Sequence, residues 1–103
     1  LVDQGADVHT MTDKKATPLH WACEKGHKEV ALALLDKEAD IHACDDDNYT
    51  PLHWASYNGH TGIAVALVDK GADVHAMTDE KATPLHWACH NGHTEVALAL
   101  VDK

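Results

Sequence analysis

The 103-residue chain contains no arginine and no phenylalanine, and its eight lysines are outnumbered by 17 acidic residues, giving a formal net charge of −9. Nucleic-acid binding generally requires a basic surface that is rich in Arg. These absences therefore argue against a DNA- or RNA-binding protein. Solubility, or attraction to a basic partner, is the better explanation of such a charge.

Long apolar runs are also absent. No stretch approaches the roughly 18 apolar residues of a membrane-spanning helix, and no charged-then-apolar leader opens the chain. We therefore expect neither a membrane contact nor a signal peptide, and we expect an intracellular protein.

One hexapeptide, Thr-Pro-Leu-His-Trp-Ala, occurs at residues 17–22, 50–55 and 83–88, with a step of 33 residues. A second phrase, of the form Gly-Ala-Asp-Val-His, keeps this step at residues 5–9, 38–42 and 71–75. Two phrases on one period predict a stack of repeated units. We predict one domain over 1–103, with a partial leading repeat at about 1–11, repeat one at 12–44, repeat two at 45–77 and a truncated repeat three at 78–103.

Each unit is predicted to contain two helices. Thr17 suits a helix N-cap and Pro18 the first helical position, and Gly26 is expected to end this helix in a left-handed conformation. A second helix is predicted at about 28–37. Its packing positions are predicted to be Val30, Ala31, Leu34 and Leu35, with Val96, Ala97, Leu100 and Val101 as their counterparts in repeat three. The polar segments 9–16, 42–49 and 75–82 are predicted to be β-turns or short hairpins.

With these helices in place, the chain resembles the ankyrin repeat family. The resemblance depends on the three hexapeptides, on the Gly-His pairs at 26–27, 59–60 and 92–93, and on the Gly-Ala-Asp-Val-His phrases. It implies an all-α solenoid of stacked helix–turn–helix units with β-turn or hairpin loops. The chain departs from the family pattern in two places. Histidine replaces the usual Asn at 9, 42 and 75, and Lys15, Asn48 and Lys81 replace the usual Gly.

The resemblance implies a protein–protein interaction module that binds its partner on the loop tips and on the concave face formed by the first helices. The contact residues that it implies are Met11, Asp13, Lys14, Ala16, Glu24 and Lys25 in repeat one, Cys44, Asp46, Asp47, Tyr49, Tyr57 and Asn58 in repeat two, and Met77, Asp79, Glu80, Ala82, His90 and Asn91 in repeat three. Trp54 joins the centre of this set. The acidic residues favour a partner that carries Lys or Arg.

Other readings remain open. The near-identity of repeats one and three is also compatible with a structural or designed scaffold that has no native ligand. Ends without polar capping repeats make self-association a further hypothesis, and ten histidines raise metal-dependent assembly as another.

Neither catalysis nor a metal site is predicted. The histidines form ladders whose rungs are about 10 Å apart, too far to share an ion at zinc–nitrogen distances of about 2.0–2.1 Å. His20, His53 and His86 are expected instead to form hydrogen bonds within the turn and to the next unit. We predict no enzyme activity and no cofactor.

The cysteines and the apolar side chains outside the helices' packing stripe give further expectations. Cys23 and Cys89 lie two units apart and should not form a disulfide, which favours the reducing cytoplasm or nucleus. Both are expected at small apolar packing positions, with Ser56 replacing them in repeat two. The three tryptophans are expected mainly to pack the units together. A possible exposed apolar stripe on the second helices comprises Leu32, Val65 and Leu98.

Overall fold

The computed structural model describes residues 14–102 and contains six helices in this range. They are α1 (Pro18–Lys25), α2 (Lys28–Asp36), α3 (Pro51–Tyr57), α4 (Thr61–Asp69), α5 (Pro84–His90) and α6 (Thr94–Val101). Each consecutive pair forms one unit, and no strand is present among these residues. The predicted all-α repeat architecture is confirmed.

The first helix of each unit begins at the hexapeptide threonine. The Thr17 side chain accepts the backbone N–H of His20, and the His20 ring in turn accepts the backbone N–H of Thr17. This is a capping box in which His takes the place of the usual Glu or Gln. Pro18 occupies the first turn, where its missing N–H costs nothing, and Gly26 ends α1 with φ 78°. The predicted limits of this helix are therefore confirmed.

The core lies between helices of neighbouring units as well as within each unit. First helices pack side by side (α1 on α3, α3 on α5), and second helices do the same (α2 on α4, α4 on α6). Leu19, Leu52, Leu34 and Leu67 have no exposed surface. This arrangement buries the apolar face of each unit against the next unit, as expected for a solenoid.

The buried packing positions predicted for Val30 and Val101 are wrong. Val30 is 45% exposed and Val101 is 64% exposed, whereas Ile63, at the position equivalent to Val30, and Leu35, at the position equivalent to Val101, are buried. These positions lie on the outer sides of a unit. They are buried only where a neighbouring described unit covers them.

The expected apolar stripe on the second helices is not continuous. Leu98 is 61% exposed, but Leu32 and Val65 are half-buried, and Leu32 packs against the core. A side chain at this position is covered in the first two units, so the stripe reduces to a single exposed leucine.

The loop positions where the family usually has glycine adopt the left-handed conformation. Lys15, Asn48 and Lys81 have φ values of 63°, 63° and 65°. Glu38, which replaces the glycine of the second phrase, has φ 64°. Asparagine tolerates this conformation better than lysine or glutamate, for which it costs about 1 kcal/mol or more.

Replacing Ser56 by alanine is expected to raise the free energy of unfolding by about 1 kcal/mol. Ser56 has no exposed surface, and its hydroxyl group has no hydrogen-bond partner. Urea unfolding of the two proteins measures the change. Cys89→Ala alters the equivalent exposed position in the third unit and should leave the stability unchanged. A loss of stability in Ser56→Ala would contradict the prediction.

Candidate functional site

The tips of the connecting loops form a continuous row. The backbone N–H of Asp46 donates to the carbonyl oxygen of Lys14 at 2.8 Å, and that of Asp79 donates to the carbonyl oxygen of Asp47 at 3.1 Å. Within one tip, the backbone N–H of Asp45 donates to the carbonyl oxygen of Tyr49 at 3.0 Å. Loops of successive units are therefore fixed to one another as well as to their own helices.

Asp45 organises the tip of the second unit, although sequence reasoning did not select it. One carboxylate oxygen accepts the backbone N–H groups of Asp47 and Tyr49 at 3.0 and 2.9 Å. The other accepts the indole N–H of Trp54 at 3.1 Å. The run of three aspartates before Asn48 signals such a turn, since Asp commonly bonds to its own backbone two residues on. Asp45 thus joins the loop to the first helix.

Four aromatic rings cluster where the second and third units meet. Tyr49 stacks on Trp54 with ring centroids 4.7 Å apart and lies 6.0 Å from Trp87. Tyr57 lies 6.0 Å from Trp54 and 4.9 Å from Trp87. Trp54 and Trp87 therefore help to pack the second and third units together, as predicted, and with Tyr57 they remain half-buried. The prediction is wrong for Trp21.

Trp21 differs from the other two tryptophans. It is 53% exposed, because Ala16 and Glu24 stand where the second unit has Tyr49 and Tyr57. The Lys25 ammonium lies 5.8 Å from the centre of its ring. Trp21 was not among the predicted contact residues, although its tyrosine-free surroundings could have been read from the sequence.

Tyr49 is buried, with 9% of its surface exposed. Its hydroxyl group donates to Glu80 Oε1 at 3.4 Å. Burial, and then the negative charge of Glu80, raise the pKa of Tyr49 to about 12. The phenol is therefore a neutral hydrogen-bond donor at physiological pH, and its ring serves mainly to pack the cluster.

The other predicted contact residues divide by exposure. Met11 and Asp13 lie outside the described residues. The exposed members are Lys14, Lys25, Cys44, Asp46, Asp47, Met77, Asp79, Glu80, His90 and Asn91, while Ala16, Glu24, Trp54, Tyr57 and Asn58 are half-buried and Ala82 is buried. The Asn91 amide donates to the carbonyl oxygen of Tyr57 at 2.9 Å, which connects two units along the first helices.

Two separate grooves flank the loops. One, of about 290 Å³, is lined by Asp47, Tyr49, Trp54, Asp79 and Glu80. The other, of about 200 Å³, is lined by Ile41, His42, Cys44, Thr50, Asp73 and Ala76. Cys44 therefore lies apart from the aromatic cluster with which it was predicted to act.

Hexapeptide histidines join each unit to the loop that follows. Nδ1 of His53 accepts the backbone N–H of Thr50 at 3.0 Å, so the ring proton lies on Nε2. That nitrogen donates to the carbonyl oxygen of Ala82 at 3.1 Å. Nε2 of His20 donates in the same way to the carbonyl oxygen of Tyr49 at 2.7 Å. The structural role predicted for these two histidines is confirmed.

The prediction is wrong for His86. Its ring is exposed and lies parallel to that of His90, with centroids 6.2 Å apart. Only its backbone N–H takes part in the cap, donating to the Thr83 hydroxyl group at 3.2 Å. No loop of a following unit lies beside His86 within residues 14–102, so its ring lacks the acceptor that holds the other two.

Histidines of the Gly-His pairs join each unit to the one before. The ring of His93 lies over Gly59, and its Nε2 donates to the carbonyl oxygen of Tyr57 at 2.9 Å. His60 makes the equivalent contact with the carbonyl oxygen of Glu24 at 3.1 Å. Sequence reasoning placed these histidines in a ladder without giving them a role.

Acid is expected to destabilise the fold through His20 and His53. Burial lowers the pKa of each below the ordinary value of 6.5. As the pH falls below 6.5 the unfolded chain takes up protons that the folded chain excludes, so stability is lost until the lowered folded-state pKa is reached. The loss is at most about 1.4 kcal/mol per pH unit for each histidine.

Urea unfolding at about pH 7.5 and about pH 5.5 measures this loss. A His53→Gln variant, which cannot be protonated, should have a shallower pH dependence than the natural chain. Equal slopes for the two proteins would contradict the assignment to His53.

Cys23 is not suited to nucleophilic chemistry. Burial raises the pKa of Cys23 to about 12, so its thiol stays protonated. Cys44 and Cys89 are exposed, and all three thiols are free, which corrects the buried packing position predicted for Cys89. Within residues 14–102, no group of three or more His, Cys, Asp or Glu side chains could hold a metal ion.

No helix in the described range has the length and apolarity needed to cross a membrane. A family model described as ankyrin repeats in three copies matches residues 1–78, and one described as ankyrin repeats in many copies matches residues 59–101. No match is found among the curated proteins. Ankyrin repeats generally serve as protein–protein interaction modules and are typically without enzymatic activity. The paired helices, the threonine–histidine caps and these matches agree, and the chain belongs to the ankyrin repeat family.

Proposed function

We propose that this chain binds a protein partner across the loop tips and first helices of repeats two and three. The observation that carries the proposal is the aromatic cluster beside the acidic loop tips, in which half-buried Trp54, Tyr57 and Trp87 surround the buried Tyr49. Aromatic side chains supply large, rigid contact area and are enriched among the residues that dominate binding energy.

The charge of the tips favours a basic partner. Asp46, Asp47, Asp79 and Glu80 are exposed, and the chain carries a formal net charge of −9. Complementary charge accelerates association and excludes partners of like charge. A partner rich in Lys or Arg is therefore the best fit to this face. The free thiols of Cys23, Cys44 and Cys89 suit a reducing compartment, the cytoplasm or the nucleus.

Capture of cellular proteins on the immobilised chain tests the proposal. The face variant combines Asp46→Lys with Tyr57→Ala, and the control combines Glu29→Lys with Val30→Ala on α2. Both pairs reverse one exposed charge and truncate one large side chain. Some proteins should be captured by both the unmodified chain and the control. These proteins should bind the face variant at least about tenfold less tightly, which corresponds to a loss of about 1.4 kcal/mol of binding free energy.

Circular dichroism of the variants confirms that each is folded. Capture of the same proteins by both variants would contradict the proposal. A chain that captures nothing in this assay would favour the alternative of a scaffold without a native ligand.

A second candidate function is self-association through α5 and α6. Gly92 has no side chain within 4 Å of an added Cβ, whereas the equivalent Gly26 and Gly59 are covered by histidine rings. Leu98, which lines a groove with Gly92, is more than half exposed, and so is Val101 at the end of α6. This face has the features of an internal junction between units and suits a second copy of the chain.

Light scattering at increasing protein concentration tests self-association. The mean mass should rise with concentration for the natural chain and stay at the monomer value for a Leu98→Lys, Val101→Lys variant. A natural chain that remains monomeric throughout, or a variant that associates equally, would contradict this candidate.

A further inference from the structure

The groove of about 290 Å³ between the second and third loop tips has features that protein binding in general does not explain. Asp47 and Tyr49 line it from one unit, Asp79 and Glu80 line it from the next, and Trp54 completes it. Pockets for small-molecule ligands are usually about 300–1,000 Å³. This groove is at the lower limit of that range, which suits one side chain of a partner.

Two carboxylates of the groove are held in place by uncharged donors. The Asn48 amide donates to Asp79 Oδ1, and the Tyr49 hydroxyl group donates to Glu80 Oε1 at 3.4 Å. With Asp47, they bring three carboxylates from two units to one groove.

The aromatic side of the groove is fixed as well. Trp54 is held by its indole N–H bond to Asp45 at 3.1 Å and by stacking on Tyr49 at 4.7 Å between centroids. The face of an aromatic ring attracts cations independently of any carboxylate. The indole and the carboxylates that line this groove thus favour the same kind of ligand, a cationic group.

We propose that this groove binds an arginine side chain of the protein partner, a proposal that rests on the function proposed above. The planar guanidinium group can stack on an aromatic ring while its N–H groups bind a carboxylate in a two-pronged geometry. A lysine ammonium is a compact, strongly hydrated charge that cannot do both. The groove, with an indole and carboxylates from two units, is built for the planar cation.

Titration of the full chain with N-acetyl-arginine amide, followed by nuclear magnetic resonance, tests the groove directly. The indole N–H signal of Trp54 reports binding, because this ring lines the groove. N-acetyl-citrulline amide has nearly the same shape without the charge, and N-acetyl-lysine amide has the charge without the plane. The arginine derivative should bind at least about threefold more tightly than either, since exposed cation–aromatic and ionic contacts are each worth a few-fold.

Two variants identify the carboxylates. Glu80→Gln and Asp79→Asn each keep an oxygen that can accept the hydrogen bond from Tyr49 or Asn48 and remove only the charge. Each should weaken binding of the arginine derivative about threefold. Glu29→Gln removes the same charge from an exposed residue of α2 that does not line the groove and should have little effect.

Equal binding of the citrulline derivative, or equal losses in Glu29→Gln and Glu80→Gln, would overturn the proposal. Lysine derivatives that bind as tightly as arginine would overturn the preference for a planar cation. Partner capture that is lost in the Asp46→Lys, Tyr57→Ala variant but unchanged in Glu80→Gln would overturn the groove's part in recognition and leave the proposed function intact. Arginine binding that depends on Glu80, together with failed capture, would contradict the proposed function alone.

Discussion

Replacing His53 by alanine is expected to lower the free energy of unfolding by about 2–4 kcal/mol. The ring has no exposed surface. It accepts the backbone N–H of Thr50 at 3.0 Å and lies within 3.1 Å of the carbonyl oxygens of Ala76 and Ala82. Alanine would leave a cavity, a buried N–H without an acceptor and the carbonyl oxygen of Ala76 without the His53 donor, while that of Ala82 would keep the backbone N–H of Thr78. Urea unfolding measures the loss.

His86→Ala is the matched control, since the residue and its hexapeptide are the same. The His86 ring is exposed and forms no hydrogen bond to a following loop, so the expected loss is below about 0.5 kcal/mol. A similar loss in both variants would show that the hydrogen bonds from the His53 ring to the following loop add no stability. That result would contradict its role in joining neighbouring units.

Gly59→Ala is expected to cost about 2–4 kcal/mol, for two separate reasons. Gly59 has φ 76°, a left-handed conformation that disfavours any side chain with a Cβ. An added Cβ would also lie 2.5 Å from Nδ1 of His93. The ring would have to move, which would break its 2.9 Å hydrogen bond to the carbonyl oxygen of Tyr57.

Gly92→Ala separates the two contributions. Gly92 has nearly the same backbone angle, φ 73°, but nothing lies within 4 Å of the added Cβ. Its loss should be only the backbone cost of about 1–2 kcal/mol. Thermal or urea unfolding of both variants gives the difference, which is the contribution of the contact between units. Equal losses would contradict a steric role for His93.

Much of the fold could be predicted because it depends on local chemistry. Threonine followed by proline fixes the start of each first helix, and Gly26 fixes the end of α1. The step of 33 residues predicts that these pieces repeat and stack. Such features need only neighbouring residues of the chain, so their sequence signals are reliable.

The candidate site could be predicted only in part. The residues around the second hexapeptide do meet at the loop tips, but Tyr49 proves to be mainly a packing residue. Its burial results from Trp54 and Trp87, which belong to two different units. Asp45 was missed because its importance depends on an indole N–H that approaches from α3. Contacts between single residues of different elements leave no repeating pattern in the sequence from which they could be predicted.

The sequence by itself determined the repeat, the helices, their caps and the acidic charge of the chain. The tertiary structure decided which copy of a repeated residue is buried. His53 and His86 stand in identical hexapeptides, yet one is buried and the other is exposed, and Cys23 and Cys89 differ in the same way. The physical reason is that a repeat unit buries its outer faces only against its neighbours, so the same residue has a different environment in each unit.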